Sequence, residues 1–93
     1  MRMLKVDMHK EVLRFLRHEC SAADRESFQK GLEAVRTLPI ESSGPYHDPE
    51  IRPHMLRYFR FGQNRAIFEY HPAKDLIVIW ECRKRDQQRR KPT

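Results

Sequence analysis

The apolar period of this chain changes once, and that change limits the folds open to it. Between Met8 and Leu38 apolar residues recur at helical spacing, whereas from Met55 to Cys82 they recur every second residue, as on strands with one covered face. Between the two regimes, Glu41 to Pro53 gathers Ser42, Ser43, Gly44, Pro45, Pro49 and Pro53, which is the composition of a loop. A helical half followed by a stranded half is the pattern of an α+β domain with its helices on one face of a small antiparallel sheet. With 93 residues there is room for one core, so the chain reads as a single domain, 1–93, with a basic C-terminal tail from about residue 86.

In the helical half, Met8, Val12, Phe15 and Leu16 form one stripe that Leu13 widens, predicting a helix from Asp7. Ser21-Ala22-Ala23-Asp24 starts a second helix: the serine hydroxyl can accept from a backbone N–H of the next turn, and Asp24 favours the positive helix end. Phe28, Leu32, Val35 and Leu38 line one face of that helix until Pro39 stops it. So few residues join the two helices that an antiparallel hairpin is expected. Gly31 weakens the second helix by up to about 1 kcal/mol relative to Ala, marking either close packing or simple tolerance. A short strand over residues 3–6 completes a β-α-α-β-β-β order.

Three extended segments fill the other half: Met55 to Phe61, Arg65 to Tyr70, and Leu76 to Cys82. Gly62-Gln63 can close the first hairpin, because glycine supplies the positive φ that a type II′ turn needs, and His71 to Asp75 can close the second. If Phe61 opposes Asn64, then Arg60 opposes Arg65, Tyr58 opposes Ile67 and Leu56 opposes Glu69, all on one face. Met55, Arg57, Phe59, Phe61, Ala66, Phe68 and Tyr70 occupy the other and must meet the helices. In the last segment the greasier parity is Leu76, Val78, Trp80 and Cys82. Turning it inward leaves Ile77, Ile79, Glu81 and Arg83 outside, with Arg85 if the strand continues. Arginines from three segments then share one solvent face.

Charge follows the same map. The net charge is +6, and residues 83–91 hold six basic side chains against one acidic. Ile51 to Tyr70 adds Arg52, Arg57, Arg60 and Arg65 against Glu69 alone. Arginines stacked across a sheet repel one another, a cost that a bound polyanion such as RNA or DNA would remove. Neutralisation by Glu69 and Glu81 would also remove it, and Arg89 to Thr93 also reads as a solvated tail. Tyr58 can stack on a base or be a half-exposed structural tyrosine.

Other classes are excluded. The longest apolar run, Leu76 to Trp80, is far too short to cross a bilayer, and no secretory signal is seen at the N-terminus, so a cytoplasmic location is expected. Cys20 and Cys82 show no CxxC spacing and the histidines do not cluster, so neither a disulfide, a metal nor a cofactor is expected. His54 and His71 flank strands without an assigned role.

Leu56 to Tyr70, LRYFRFGQNRAIFEY, resembles the arginine-strand, glycine-turn, arginine-strand hairpin of the RelE/ParE superfamily of type II toxin–antitoxin toxins. Leu76 to Arg85, LIVIWECRKR, resembles that superfamily's hydrophobic last strand running into a basic motif. The resemblance implies a metal-independent endoribonuclease that enters the ribosomal A site, cleaves mRNA and stops translation, held by a cognate antitoxin. It implies that Arg60 and Arg65 grip the scissile phosphate and that Arg83 or Arg85 assists; Glu69 or Glu81 can serve as the base, neither having a counterpart in the matched motif. Tyr58, Lys84, Arg89, Arg90 and Lys91 would bind RNA. The tail departs from the ribonuclease pattern in holding neither histidine nor tyrosine, so no general acid is assigned. The same scaffold implies two alternatives: a non-enzymatic ParE-like inhibitor of DNA gyrase, and a small nucleic-acid-binding protein.

Overall fold

The computed structural model describes residues 3–46 and 56–84. In chain order these form β1 (Lys5–Met8), α1 (Lys10–His18), α2 (Ala22–Thr37), β2 (Gly44–Pro45), β3 (Leu56–Phe61), β4 (Asn64–His71), a 3₁₀ turn (Pro72–Lys74) and β5 (Leu76–Lys84). Among the described residues the strands make one sheet in the order β1-β5-β4-β3-β2, and the fold is α+β. None of the described helices is long and apolar enough to cross a membrane.

The first strand lies two residues later than its spacing predicts and pairs parallel to β5, Lys5 with Leu76 through Met8 with Ile79. The sheet is therefore mixed rather than wholly antiparallel. The helices leave β1 without a hairpin partner, so it takes the open edge of β5, where Val6 and Met8 reach the core. Its start is pinned from both sides: the Leu4 amide donates to the Arg36 carbonyl at 3.0 Å, and Arg36 Nε donates to the Leu4 carbonyl at 2.7 Å. Because the sheet takes residues up to Met8, α1 starts at Lys10 rather than Asp7, and His9 caps it through Nδ1, which accepts from the Glu11 amide at 3.3 Å.

Ser21 caps α2 as expected, its hydroxyl accepting from the Asp24 amide at 3.1 Å while the Asp24 carboxylate accepts from the Ser21 amide at 3.3 Å. Arg25 closes the helical hairpin by donating to the carbonyls of Leu16 (3.2 Å) and Cys20 (2.8 Å). Val12, Phe28, Leu32 and Val35 pack onto Phe59, Phe61, Ala66 and Phe68 of the sheet. Leu13 and Leu38, both placed on the apolar stripes by spacing, stay exposed; Leu38 is already past the helix, at φ −131° and ψ 79°. Gly31 is a close-packing glycine, since a Cβ there would come within 2.6 Å of the buried Phe59 ring.

Part of the presumed loop is ordered onto the sheet, with Gly44 opposite Tyr58 and Pro45 opposite Arg57. Arg57 holds it there: Nε donates to Ser43 Oγ at 2.6 Å, and Nη2 to the carbonyls of Ser43 (3.0 Å) and Ile40 (3.2 Å). Proline suits this edge position, which needs no ladder donor.

The β3–β4 hairpin has the expected register, with Arg60 opposite Arg65 and Leu56 opposite Glu69, turning through Gly62 at φ +61°. In β5 the expected parity is inverted over its first half. Ile77 and Ile79 are fully buried, while Trp80 is 44% exposed. A β-bulge reconciles this with the rest of the strand: Phe68 partners Ile79 but its neighbour Ile67 partners Glu81, leaving Trp80 as the extra residue. Before the bulge Ile77 and Ile79 face the helices; after it Cys82 does, beside Ala66. The bulge thus lets Arg83 share a face with Arg65 even though the isoleucines point inward. Strict alternation permits one or the other, which is why the sequence pattern misled.

Candidate functional site

The face of the sheet away from the helices carries Leu56, Tyr58 and Arg60 from β3, Arg65, Ile67 and Glu69 from β4, and Val78, Glu81 and Arg83 from β5. Arg65 sits between Arg60 and Arg83 in register, so three guanidinium-bearing positions form one row across three strands. At about 4.8 Å per strand the row spans roughly 10 Å.

Each member of the row is held differently. The Cζ of Arg65 lies 4.7 Å from the centroid of the Tyr58 ring, a cation–π arrangement. Arg83 Nε donates to the Glu81 carboxylate. Arg60 is exposed. Glu81 therefore engages one end of the row.

The face is less open than its register suggests. Leu56, Ile67 and Glu69 are all buried. Tyr58 is enclosed as well: besides Arg65 it meets the Tyr46 ring at 6.3 Å between centroids, and a Cβ on Gly44 would lie 3.2 Å from it. Arg65 and Tyr46 thus both lie against the Tyr58 ring.

Not every residue singled out from sequence joins the row. Glu69 lies four residues from Arg65 along β4, about 13 Å, and its carboxylate oxygen is 3.0 Å from His71 Nε2. Lys84 lies on the helix side, with Nζ 3.4 Å from Glu19 Oε1. Arg85, Arg89, Arg90 and Lys91 lie outside the described residues. Sequence reasoning missed two residues on this face. His71 continues the outward parity of β4, a signal that was legible. Trp80 faces out once Ile77 and Ile79 face the helices, the parity that the sequence reading inverted.

Cys20 and Cys82 are free thiols packed against the core from the helix side. Burial pushes the Cys82 thiol up to about 12, with smaller contributions from Cys20 and Glu81, and burial followed by the nearby Asp24 carboxylate raises Cys20. Neither is an activated nucleophile. The chemistry available to the face is that of fixed positive charge: gripping a phosphodiester and stabilising negative charge that develops on it.

No family model matches the sequence. No curated protein matches it either. Solved structures do. The archaeal RelE–RelB complex from Pyrococcus horikoshii OT3 includes a chain with TM-score 0.73 and 18% identity, the match covering 89% of this chain and 96% of that one. The Mycobacterium tuberculosis RelBE2 toxin–antitoxin complex gives 0.72 at 14% identity over 89% and 99% of the two chains. The isolated E. coli RelE toxin gives 0.68 at 18% identity over 87% and 83%. The likeness is one of architecture, and on it this chain has the fold of the RelE toxins.

Proposed function

We propose that this protein is the toxin of a type II toxin–antitoxin pair and that it cleaves mRNA on the ribosome. The observation that carries the reading is the in-register row Arg60, Arg65 and Arg83 on the uncovered side of a RelE-like sheet. In this reading Arg60 and Arg65 hold the scissile phosphate, and Arg83 helps them stabilise the charge that develops as the ribose 2′-OH attacks. Glu81, bonded to Arg83 and diagonal to Arg65, stands closer to that phosphate than Glu69 does and is the better base. The partner is an acidic antitoxin that covers the basic face; two of the similar structures are toxin–antitoxin complexes. Arg85, Arg89, Arg90 and Lys91 extend the contact along the RNA backbone.

One observation favours a second reading. His71 stands six residues from Arg65, about 20 Å along the strand, and no histidine or tyrosine follows it in the sequence. Among the described residues the row thus has no histidine beside it, and the tyrosine that does stand there, Tyr58, is engaged with Arg65. That fits a toxin that binds without cutting, such as an inhibitor of DNA gyrase. Induced expression followed by transcript mapping separates the two. Growth arrest with new 5′ ends inside translated reading frames supports the ribonuclease; arrest with intact mRNA and DNA damage replaces it with the gyrase inhibitor.

A further inference from the structure

We infer that Trp80 is the platform on which this protein stacks a base of single-stranded RNA, next to the phosphate held by the arginine row; the inference rests on the RNA-binding reading above. Val78 pairs with Asp7 of β1 and with Glu69 of β4 on the outer face, and alternation carries Trp80 to that same side. The bulge adds Glu81 to it, so the indole stands on the arginine face immediately before the Glu81–Arg83 pair. Bulges of this kind re-aim side chains beside functional sites.

Three features fit the indole for a base rather than for the core or for an anion. It is 44% exposed while both isoleucines before it are sealed in the core. The ring of His9 lies 6.0 Å away between centroids at 35°, and His9 is itself fixed as the cap of α1, so the indole is backed on one side. The nearby carboxylates, Asp7 and Glu81, repel a phosphate from the indole itself. What fits here is therefore the uncharged part of a nucleotide. From Trp80 to Arg83 is three residues, about 10 Å of strand, so the base would belong to a nucleotide near the one whose phosphate the row grips. Tyr58, another aromatic ring on this face, is already engaged by Arg65.

Trp80 is the only tryptophan, so its emission reports the site directly. The full chain is titrated with a fluorescein-labelled single-stranded RNA decamer, reading label anisotropy and, with unlabelled decamer, tryptophan emission. Stacking quenches the emission in step with binding. W80A weakens binding roughly tenfold, within the range for one aromatic–base stack, and leaves the slope of log K against log salt unchanged because no phosphate contact is lost. W80F retains most of the affinity, which separates loss of the ring from damage to the strand. If anisotropy rises while emission stays constant, or W80A binds like the wild type, Trp80 is not the platform and the arginine-row reading survives. If anisotropy does not rise at all, both fall.

Discussion

The guanidinium carbon of Arg65 lies 4.7 Å from the centre of the Tyr58 ring, on the strand next to its own. The tyrosine therefore works as a prop for the central arginine of the row. Removing Arg65 forfeits about 0.5–1 kcal/mol of cation–π stabilisation, a fall of a few degrees in Tm at this chain length. Exposed Arg60 has less to lose, within about 0.5 kcal/mol. Arg60→Ala and Arg65→Ala should each nonetheless abolish growth arrest on induction. Toxic variants, or variants that unfold, would show that the row is not the working surface.

Gly31 faces the Phe59 ring with no space for a methyl group. Gly31→Ala gains about 1 kcal/mol of helix propensity but overpacks the core, which costs about 1–3 kcal/mol. Net destabilisation of about 1 kcal/mol is expected, read as a denaturant midpoint shifted downward at unchanged m-value. A stabilised variant would mean that α2 can slide away from β3.

Arg57 ties residues 40–43 to the third strand through three hydrogen bonds. Arg57→Ala should cost about 1.5–3 kcal/mol, the usual worth of bonds made by a charged donor. Arg57→Lys should recover little, since an ammonium cannot reproduce the planar fork. Thermal melts of the two variants check this, and faster proteolysis between residues 39 and 46 should accompany the loss.

The buried Cys82 thiol, pushed up to about 12, links stability to alkaline pH. In the unfolded chain it ionises near its ordinary value of 9.0, so below that pH its contribution is fully present. As pH rises from 9 toward 12 the unfolded state alone sheds the proton, and stability falls. Urea unfolding across that window should show a steeper decline for wild type than for Cys82→Ala. Parallel declines would mean that the thiol is hydrated in the folded protein. Thiol-specific reagents should likewise label Cys82 far more slowly than the unfolded chain at pH 8.

Local signals explain most of what could be foreseen. The serine cap, the glycine turn and the hairpin register each depend on a few adjacent residues, and the structure has them as the spacing implies. The parallel edge strand and the Gly44–Pro45 strand depend on partners many residues away, to which local patterns are blind. Along β5 the error came from ranking parities by hydrophobicity. Leu76, Val78 and Trp80 outweigh Ile77 and Ile79 in bulk, yet β-branched isoleucines are what fill the space beneath α1 and α2. On the site, the meeting of three arginines was legible. The prop beneath Arg65 was not, because it needs side-chain positions.

The irregularity at Trp80 works as a phase shifter within one strand. Upstream of it, side chains answer to the hydrophobic interior; downstream, the count restarts and the cationic end answers to whatever docks outside. With that one position excised, Ile79 and Glu81 would become neighbours on opposite faces, and the isoleucines would stay hidden while the arginine stayed on show. Excision should therefore keep the arginine row and remove only the indole, weakening the grip much as replacing the same residue does.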